Sequence, residues 1–294
     1  MPASSLSIWL SAARPKTLPA ATAPVIVGCA LAVGDGAFAL LPSLTALLGA
    51  ILIQIGTNYA NDYYDFVKGT DTATRVGPTR ATQAGLVTPA QMKRATVLVF
   101  ALALLVGWYL VQHAGWPILL IGLLSIAFGL LYTAGPFPLG YNGLGDIFVL
   151  IFFGPVAVGG TYFVNTLEFS SQSLIAGLMP GLFSVGILTV NNLRDIDTDR
   201  IAGKKTLAVR FGRSFAKIEY LVSVTAPYAV AAFLAVTERR WLTLISLVGL
   251  ALTIPLVRTI WTATDGPTLN QALGSTGRLL IAHALLFSIG WLLM

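Results

Sequence analysis

Two short segments of this chain concentrate the residues able to do chemistry. The sequence has twelve Asp and Glu in 294 residues, and six of them lie in NDYYDFVKGTD at 61–71 and NNLRDIDTDR at 191–200. If a helix runs into the first segment, Asn58, Asn61, Asp62 and Asp65 fall at i, i+3, i+4 and i+7 and share one face. Asn191, Asp195 and Asp199 share a face in the same way at i, i+4 and i+8, while Asp197 points elsewhere and is expected to matter less. Carboxylates stacked on one face repel unless something positive stands beside them. Neighbouring Lys and Arg are one source of that charge, and a divalent ion is the other. Mg²⁺ typically binds one or two carboxylates and completes its shell with waters and substrate phosphate oxygens. Two facing clusters would therefore suit Mg²⁺ ions bridging one diphosphate, with nearby Lys and Arg clamping the remaining oxygens. The plainer alternative is two solvated loops whose acids and bases merely pair. It suits one such loop better than two, each with Asn before its acids and basic residues after them.

The elements that must position these segments are membrane helices. Hydrophobic residues make up 56% of the chain and charged ones only 10%, against about 25% charged in a soluble domain. The mean hydropathy of +0.80 agrees. That composition excludes an ordinary cytosolic enzyme, a disordered chain and a nucleic-acid binder, despite the pI near 9.6. A bilayer core needs about 20 apolar residues per helix. Nine stretches qualify, near 18–34, 39–60, 95–112, 116–134, 144–164, 173–192, 218–236, 241–258 and 279–294, the last being the shortest signal. The expectation is an all-α membrane protein of nine transmembrane helices, forming a single domain over 1–294. The acidic segments then follow the second and sixth helices.

Charge sets the expected orientation. Sixteen of the eighteen Lys and Arg fall before the first stretch, in the two long connections at 61–94 and 193–217, or beside the last loop, leaving Arg239 and Arg240 opposite. The positive-inside rule makes the crowded side cytoplasmic, with the N-terminus inside and, for nine crossings, the C-terminus outside. No cleavable signal is read near Arg14 and Lys16, so the first helix is expected to be retained. Cys29, the single cysteine, reads as a packing residue. His113 and His283 lie in different helices and read as capped or interfacial side chains, not a metal pair. Thr88-Pro89-Ala90-Gln91 reads as a capping box that starts the third helix, and Gly154, Gly159 and Gly160 as places of close helix packing.

With those residues in view, the chain resembles the UbiA superfamily of intramembrane prenyltransferases. That family has nine helices and two aspartate-rich motifs, broadly NDxxDxxxD and DxxxD, and NDYYDFVKGTD and DIDTD match them. Asp71 departs from the common spacing, standing six residues after Asp65 instead of four. The finer similarity is to the branch that prenylates 1,4-dihydroxy-2-naphthoate in menaquinone synthesis. It is carried by ARPKTLPAATAPVIVG at 13–28, NYANDYYDFVKGTD at 58–71, RVGPTR at 75–80, LYTAGPFPLGYNGLGD at 131–146 and NNLRDIDTDRIAGKKTLAVRFG at 191–212.

The resemblance implies a UbiA-type bundle with its active site on the cytoplasmic side of a bacterial inner membrane. It implies transfer of a prenyl group from polyprenyl diphosphate to 1,4-dihydroxy-2-naphthoate, with loss of diphosphate and CO₂. Membrane lipids are the surroundings, and no nucleic acid is involved. Asp65, Asp195 and Asp199 would be catalytic, and with Asn61, Asp62 and Asp71 would form the Mg²⁺ sites. Lys68, Arg75, Arg80, Lys204 and Lys205 would hold or shield the diphosphate. Arg14 and Lys16 suit either the donor diphosphate or the acceptor carboxylate, Tyr132 the reacting groups, and Asp146 the acceptor or simply a helix N-terminus. Tyr63, Tyr64, Phe66, Tyr132 and Tyr141 are aromatic faces that could steady an allylic cation. Within the superfamily the competing acceptor is 4-hydroxybenzoate. From other classes, a secondary transporter would keep its ionisable residues near the membrane midplane, and an alcohol phosphotransferase would carry a DGxxAR-type motif that this sequence lacks.

Overall fold

The computed structural model describes residues 4–70 and 76–293, so Asp71 and Arg75 lie outside the described residues. All regular structure among the described residues is helical. Helix α1 (Ser5–Ala12) is capped by the Ser4 hydroxyl. A turn through Pro15–Thr17 leads to α2 (Pro19–Gly34), and the chain bends by 55° between Ser5–Thr17 and Pro19–Gly34. Arg14, between α1 and the Pro15–Thr17 turn, has φ at 53° in the left-handed region.

Helix α3 (Leu40–Val67) runs unbroken through the first acidic segment. Helix α4 (Pro89–Ala114) starts where the sequence says it should. The Thr88 hydroxyl accepts from the Gln91 amide at 3.2 Å, and the Gln91 side chain accepts from the Thr88 amide at 2.9 Å. After Gly115 the chain reverses into α5 (Trp116–Leu131).

The next stretch is two helices, α6 (Gly145–Ile151) and α7 (Ala157–Thr166), joined across an irregular turn at Phe152–Val156. Pro155 lacks an amide proton and cannot continue the regular ladder, and Gly154 leaves helical geometry there (φ −115°, ψ −112°). The break lets the backbone press on α8 (Ser171–Arg194), since a Cβ on Gly177 would stand 2.6 Å from Pro155 backbone atoms and one on Gly154 2.8 Å from the Gly177 carbonyl. Gly160, expected as a packing glycine, has room instead: its nearest neighbour would be Ile121 at 3.6 Å.

The second acidic segment is also interrupted. Helix α8 stops at Arg194, and a one-turn α9 (Ile196–Ile201) follows, so the expected single stripe over 191–199 is not one continuous helix. The Asp199 amide still donates to the Asp195 carbonyl at 2.8 Å, which keeps both side chains on the inner side, while Asp197 turns out to solvent between Arg200 and Arg213. Helix α10 (Leu207–Thr237), a tight helical turn at Trp241–Gly249 running into α11 (Leu250–Thr262), and α12 (Gly266–Leu292) complete the bundle.

The nine apolar stretches all fall on helical segments, some of them broken, yet fewer are long enough to cross a bilayer. Seven described helices meet that length and apolarity, or eight if the bent Ser5–Gly34 pair counts as one span; α5, with 16 residues, falls short. The chain is a multi-pass membrane protein. Helices α2, α8, α10 and α12 share the main core around Phe183, Tyr220, Phe287 and Trp291. His283 lies in that core between Phe183 and Tyr228, and His113 meets the Val164 carbonyl at 3.0 Å.

The backbone contact at Gly177 yields a stability prediction. Gly177→Leu is expected to cost about 2–3 kcal/mol or more, since neither backbone can retreat. Gly122→Ala, whose Cβ would meet nothing within 4 Å, is expected to leave stability unchanged or raise it by up to about 1 kcal/mol, Ala being the better helix former. Thermal melts in matched detergent compare the two, and equal melting of both variants would contradict the packing described.

Candidate active site

Side chains from the ends of α3 and α8 line one cavity, and their carboxylates are held by Arg and Lys side chains. Asp65, only 2% exposed, accepts from Arg80 Nη2 at 2.9 Å through Oδ2. Its Oδ1 accepts from the Tyr141 hydroxyl and lies 3.8 Å from Lys204 Nζ. The same ammonium stands 3.4 Å from Asp199 Oδ1, so one cation spans the two acidic segments. Asp195 is gripped by its own neighbour: Arg194 donates from Nε to Oδ1 at 2.8 Å and from Nη2 to Oδ2 at 2.7 Å. Such a bidentate pair fixes geometry as well as charge. Arg194 also reaches Asn191 at 2.8 Å and Asn270 at 3.3 Å.

Tyr141 ties the two halves together. Besides Asp65, its hydroxyl lies 2.9 Å from that of Thr70. The ammonium groups of Lys204 and Lys68 stand 4.7 and 5.2 Å from its ring centre, within range of a cation–π attraction. Its carbonyl accepts from the Lys205 amide at 2.6 Å. Gly143 makes that approach feasible, with φ at +76° and a notional Cβ 2.9 Å from the Lys205 carbonyl. The N-terminal segment is fastened by Asn58, which donates to the Ala13 carbonyl at 2.9 Å and the Thr17 hydroxyl at 3.2 Å.

Together these groups surround a polar cavity of about 180 Å³. Arg14, Asn61, Asp65, Arg80, Asp195, Asp199 and Lys204 all line it. Tyr132 lines it too, and Thr133 holds Asn61 in place by donating to Oδ1 at 2.9 Å.

Other expected site residues lie elsewhere. Both Asp62 oxygens accept backbone amides, from Ala81 and Thr82 at 3.0 Å each, which makes this carboxylate the anchor of the 80–82 segment and leaves it off the cavity wall. Lys16 is exposed and donates to the Asn270 carbonyl at 3.3 Å, and the Lys205 side chain faces solvent. Lys68 donates to the Gly135 carbonyl at 3.0 Å; desolvation pushes its pKa below the ordinary value, with the charge of Asp65 acting the other way. Asp146 is buried in the first turn of α6, beyond the cavity lining. Of the aromatic candidates, Tyr132 and Tyr141 line the cavity and Tyr63, Tyr64 and Phe66 do not. Arg194, Asn192 and Thr133 were not singled out from the sequence. Arg194 had a signal in its adjacency to Asp195; Thr133 had none.

A second, apolar chamber of about 340 Å³ adjoins the first, and Gln54, Thr57, Tyr132, Val149 and Phe153 line both. A closed void of that size would cost on the order of 8 kcal/mol, at about 24 cal/mol per Å³. The chamber is not closed, because lining residues such as Leu104, Trp108 and Leu123 are 40–60% exposed toward the bilayer.

The donor set tells which cation would suit the polar cavity. Among the described residues no three His, Cys, Asp or Glu side chains form a metal cage. The available ligands are carboxylate and amide oxygens set among Arg and Lys, which suits a hard ion that shares its shell with water and a phosphorylated substrate.

Comparison with known proteins agrees with this architecture. The model of the UbiA prenyltransferase family matches residues 21–282. A 1,4-dihydroxy-2-naphthoate octaprenyltransferase of Haemophilus influenzae is 34% identical, covering 98% of this chain and 96% of its own. The Mycobacterium tuberculosis protein of the same name is 37% identical, covering 96% and 95%. Among solved structures, a UbiA homolog from Archaeoglobus fulgidus bound to DMAPP and Mg²⁺ superposes with a TM-score of 0.69 at 18% identity, covering 96% of this chain and all of that one (100%).

The two neighbouring aspartates of α3 are therefore expected to behave differently. Asp62→Ala should lose about 2–3 kcal/mol of stability, as two buried amides lose a charged acceptor, and should speed tryptic cleavage after Arg80. Unchanged melting and unchanged cleavage would refute the anchoring role.

Proposed function

The chain belongs to the UbiA prenyltransferase family, and from that premise we propose that it moves a polyprenyl group from polyprenyl diphosphate to 1,4-dihydroxy-2-naphthoate. Diphosphate and CO₂ leave, and the product is a demethylmenaquinol, the prenylated precursor of menaquinone. The observation that carries this reading is the shared wall between a cationic, carboxylate-lined cavity and an apolar chamber open to lipid. A diphosphate with a long hydrocarbon tail needs both environments, joined at the carbon where they meet. The names of the relatives supply the acceptor.

In this reading Arg14, Arg80 and Lys204, which line the cavity, hold the diphosphate oxygens. Asn61, Asp65, Asp195 and Asp199 would hold Mg²⁺, which when bound neutralises charge developing on the departing diphosphate. Lys204 can pass from its carboxylate partners to the incoming phosphate, and Arg194 keeps Asp195 in one orientation throughout. Tyr132, at the junction of the two cavities, offers a ring face to the allylic cation, a contact worth about 0.5–2 kcal/mol. The chamber keeps water from that cation. The electron-rich acceptor ring then attacks at its carboxylate-bearing carbon, CO₂ is lost, and tautomerisation restores the hydroquinone. The charge distribution supports a cytoplasmic active site and an N-terminus on that side, in the inner membrane of a bacterium.

Purified chain in lipid nanodiscs, given a polyprenyl diphosphate with 1,4-dihydroxy-2-naphthoate or 4-hydroxybenzoate, tests the proposal. Product and CO₂ are expected from the naphthoate with Mg²⁺ and neither with EDTA. Asp65→Asn and Asp195→Asn are each expected to lower turnover at least ~100-fold, with the fold retained by circular dichroism. Product from the benzoate alone would move the enzyme to another branch. Near-normal turnover in either variant would refute the roles given to these aspartates.

A further inference from the structure

Part of the apolar chamber is left open by missing side chains. Gly49 on α3, Gly107 on α4 and Gly122 on α5 all line it, and a Cβ built on any of them would meet no atom within 4 Å. These are not one stripe, since they come from three separate helices. Their depths follow from the packing. Gly56 faces Phe100 across α3 and α4, and farther along Ala46 packs against the cluster that holds Leu110. The two helices are thus antiparallel, with Gly49 and Gly107 opposite one another. Helix α5 runs parallel to α3, and Gly129 meets Thr57. Counting back the same seven residues or so brings Gly122 to the level of Gly49 and Ala50.

The three glycines therefore form a collar at one depth. Thr57, which lines both cavities, lies eight residues along α3 from Gly49, or ~12 Å at the helical rise. Leu104, Trp108, Leu119 and Leu123, the lining residues 40–60% exposed to the bilayer, belong to the same turns of α4 and α5. The collar therefore coincides with the opening of the chamber into lipid.

We infer that Gly49, Gly107 and Gly122 determine the donor chain length the enzyme accepts, by leaving a gap through which a long polyprenyl tail passes from the chamber into the bilayer. This rests on the transferase reading above. A short tail ends inside the chamber and does not reach the collar; a long one must thread it. A leucine at any of the three positions would fill the gap without disturbing the diphosphate cavity. It would also be well tolerated by the backbone, because Leu is a better helix former than Gly.

The test compares Gly49→Leu, Gly107→Leu and Gly122→Leu with the unsubstituted chain, using geranyl, farnesyl and octaprenyl diphosphates. For octaprenyl diphosphate the KM is expected to rise at least ~10-fold, the equivalent of about 1.4 kcal/mol of crowding, while geranyl diphosphate stays within about twofold. A second readout does not depend on the acceptor. Octaprenyl diphosphate with Mg²⁺ should raise the Tm of the unsubstituted chain but not of the variants, whereas geranyl diphosphate should raise both. If every variant treats long and short donors alike, the collar has no such role. If the unsubstituted chain neither binds nor transfers any of these donors, the transferase reading itself fails, and the collar with it.

Discussion

The structure depends on keeping three carboxylates close together where little water can screen them. Asp65, Asp195 and Asp199 all line one cavity and are each less than 9% exposed. Two unit charges 4 Å apart interact by about 4 kcal/mol at an effective dielectric constant of 20, so unopposed carboxylates here would drive the helix ends apart. The chain answers with cations supplied from different segments: Arg80 from the connection after α3, Arg194 from the end of α8, Lys204 from the turn after α9. These pairs also decide the tertiary arrangement, because Lys204 cannot meet Asp65 and Asp199 together unless both acidic segments converge. Breaking such a buried pair costs more than making it gains, so the cluster enforces one arrangement better than it adds stability.

The two acidic helices solve the same problem differently. Helix α3 stays intact to Val67 and spends its four polar positions on separate tasks: Asn58 holds the N-terminal segment, Asn61 and Asp65 face the cavity, and Asp62 captures two amides of the following connection. Helix α8 instead ends at Arg194, and the chain restarts one residue later. That break frees Arg194 to fold back on Asp195 and sends Asp197 outward to Arg213. An unbroken helix would have carried the basic tail of the motif straight away from α3. The break turns it back, so that Lys204 reaches the first motif and Lys205 bonds Tyr141.

Much of this was legible in the sequence because helical spacing is local. The stripe Asn58–Asp65, the capping box at Thr88 and the minor position of Asp197 all follow from residue spacing along one helix. Where a residue lies away from the cavity that its spacing suggested, the cause is competition through space. Asp62 lies on the same stripe as Asp65, but the amides of Ala81 and Thr82 claim it first. Lys16 belongs to the same basic group as Arg14, yet the left-handed turn at Arg14 sends the two in different directions, one to the cavity and one to Asn270. Thr133 holds Asn61 from 72 residues away, a distance over which no pattern in the chain carries information. Nine apolar runs stand beside seven or eight described helices long enough to span a bilayer, because hydropathy marks apolar runs and says nothing of helix length. The chain bends by 55° before Pro19, and α5 has only 16 residues.

The junction of the two cavities explains why so polar a cluster sits beside so apolar a void. A charged site gains strength as water is excluded, since every electrostatic interaction in it is less screened. An open aqueous mouth on the hydrocarbon side would forfeit that gain. Here the wall shared by the two cavities is made of Gln54, Thr57 and Tyr132 together with Val149 and Phe153. The first three carry hydrogen-bonding groups, and the last two are hydrocarbon. Tyr132, which carries both a ring and a hydroxyl, packs so closely over Gly140 and Gly145 that a Cβ on either would come within 3 Å of its side chain. Those two glycines belong to the same connection that carries Tyr141 and the start of α6. The loop that ties the acidic segments together therefore also seats Tyr132 at the wall between the polar cavity and the apolar chamber.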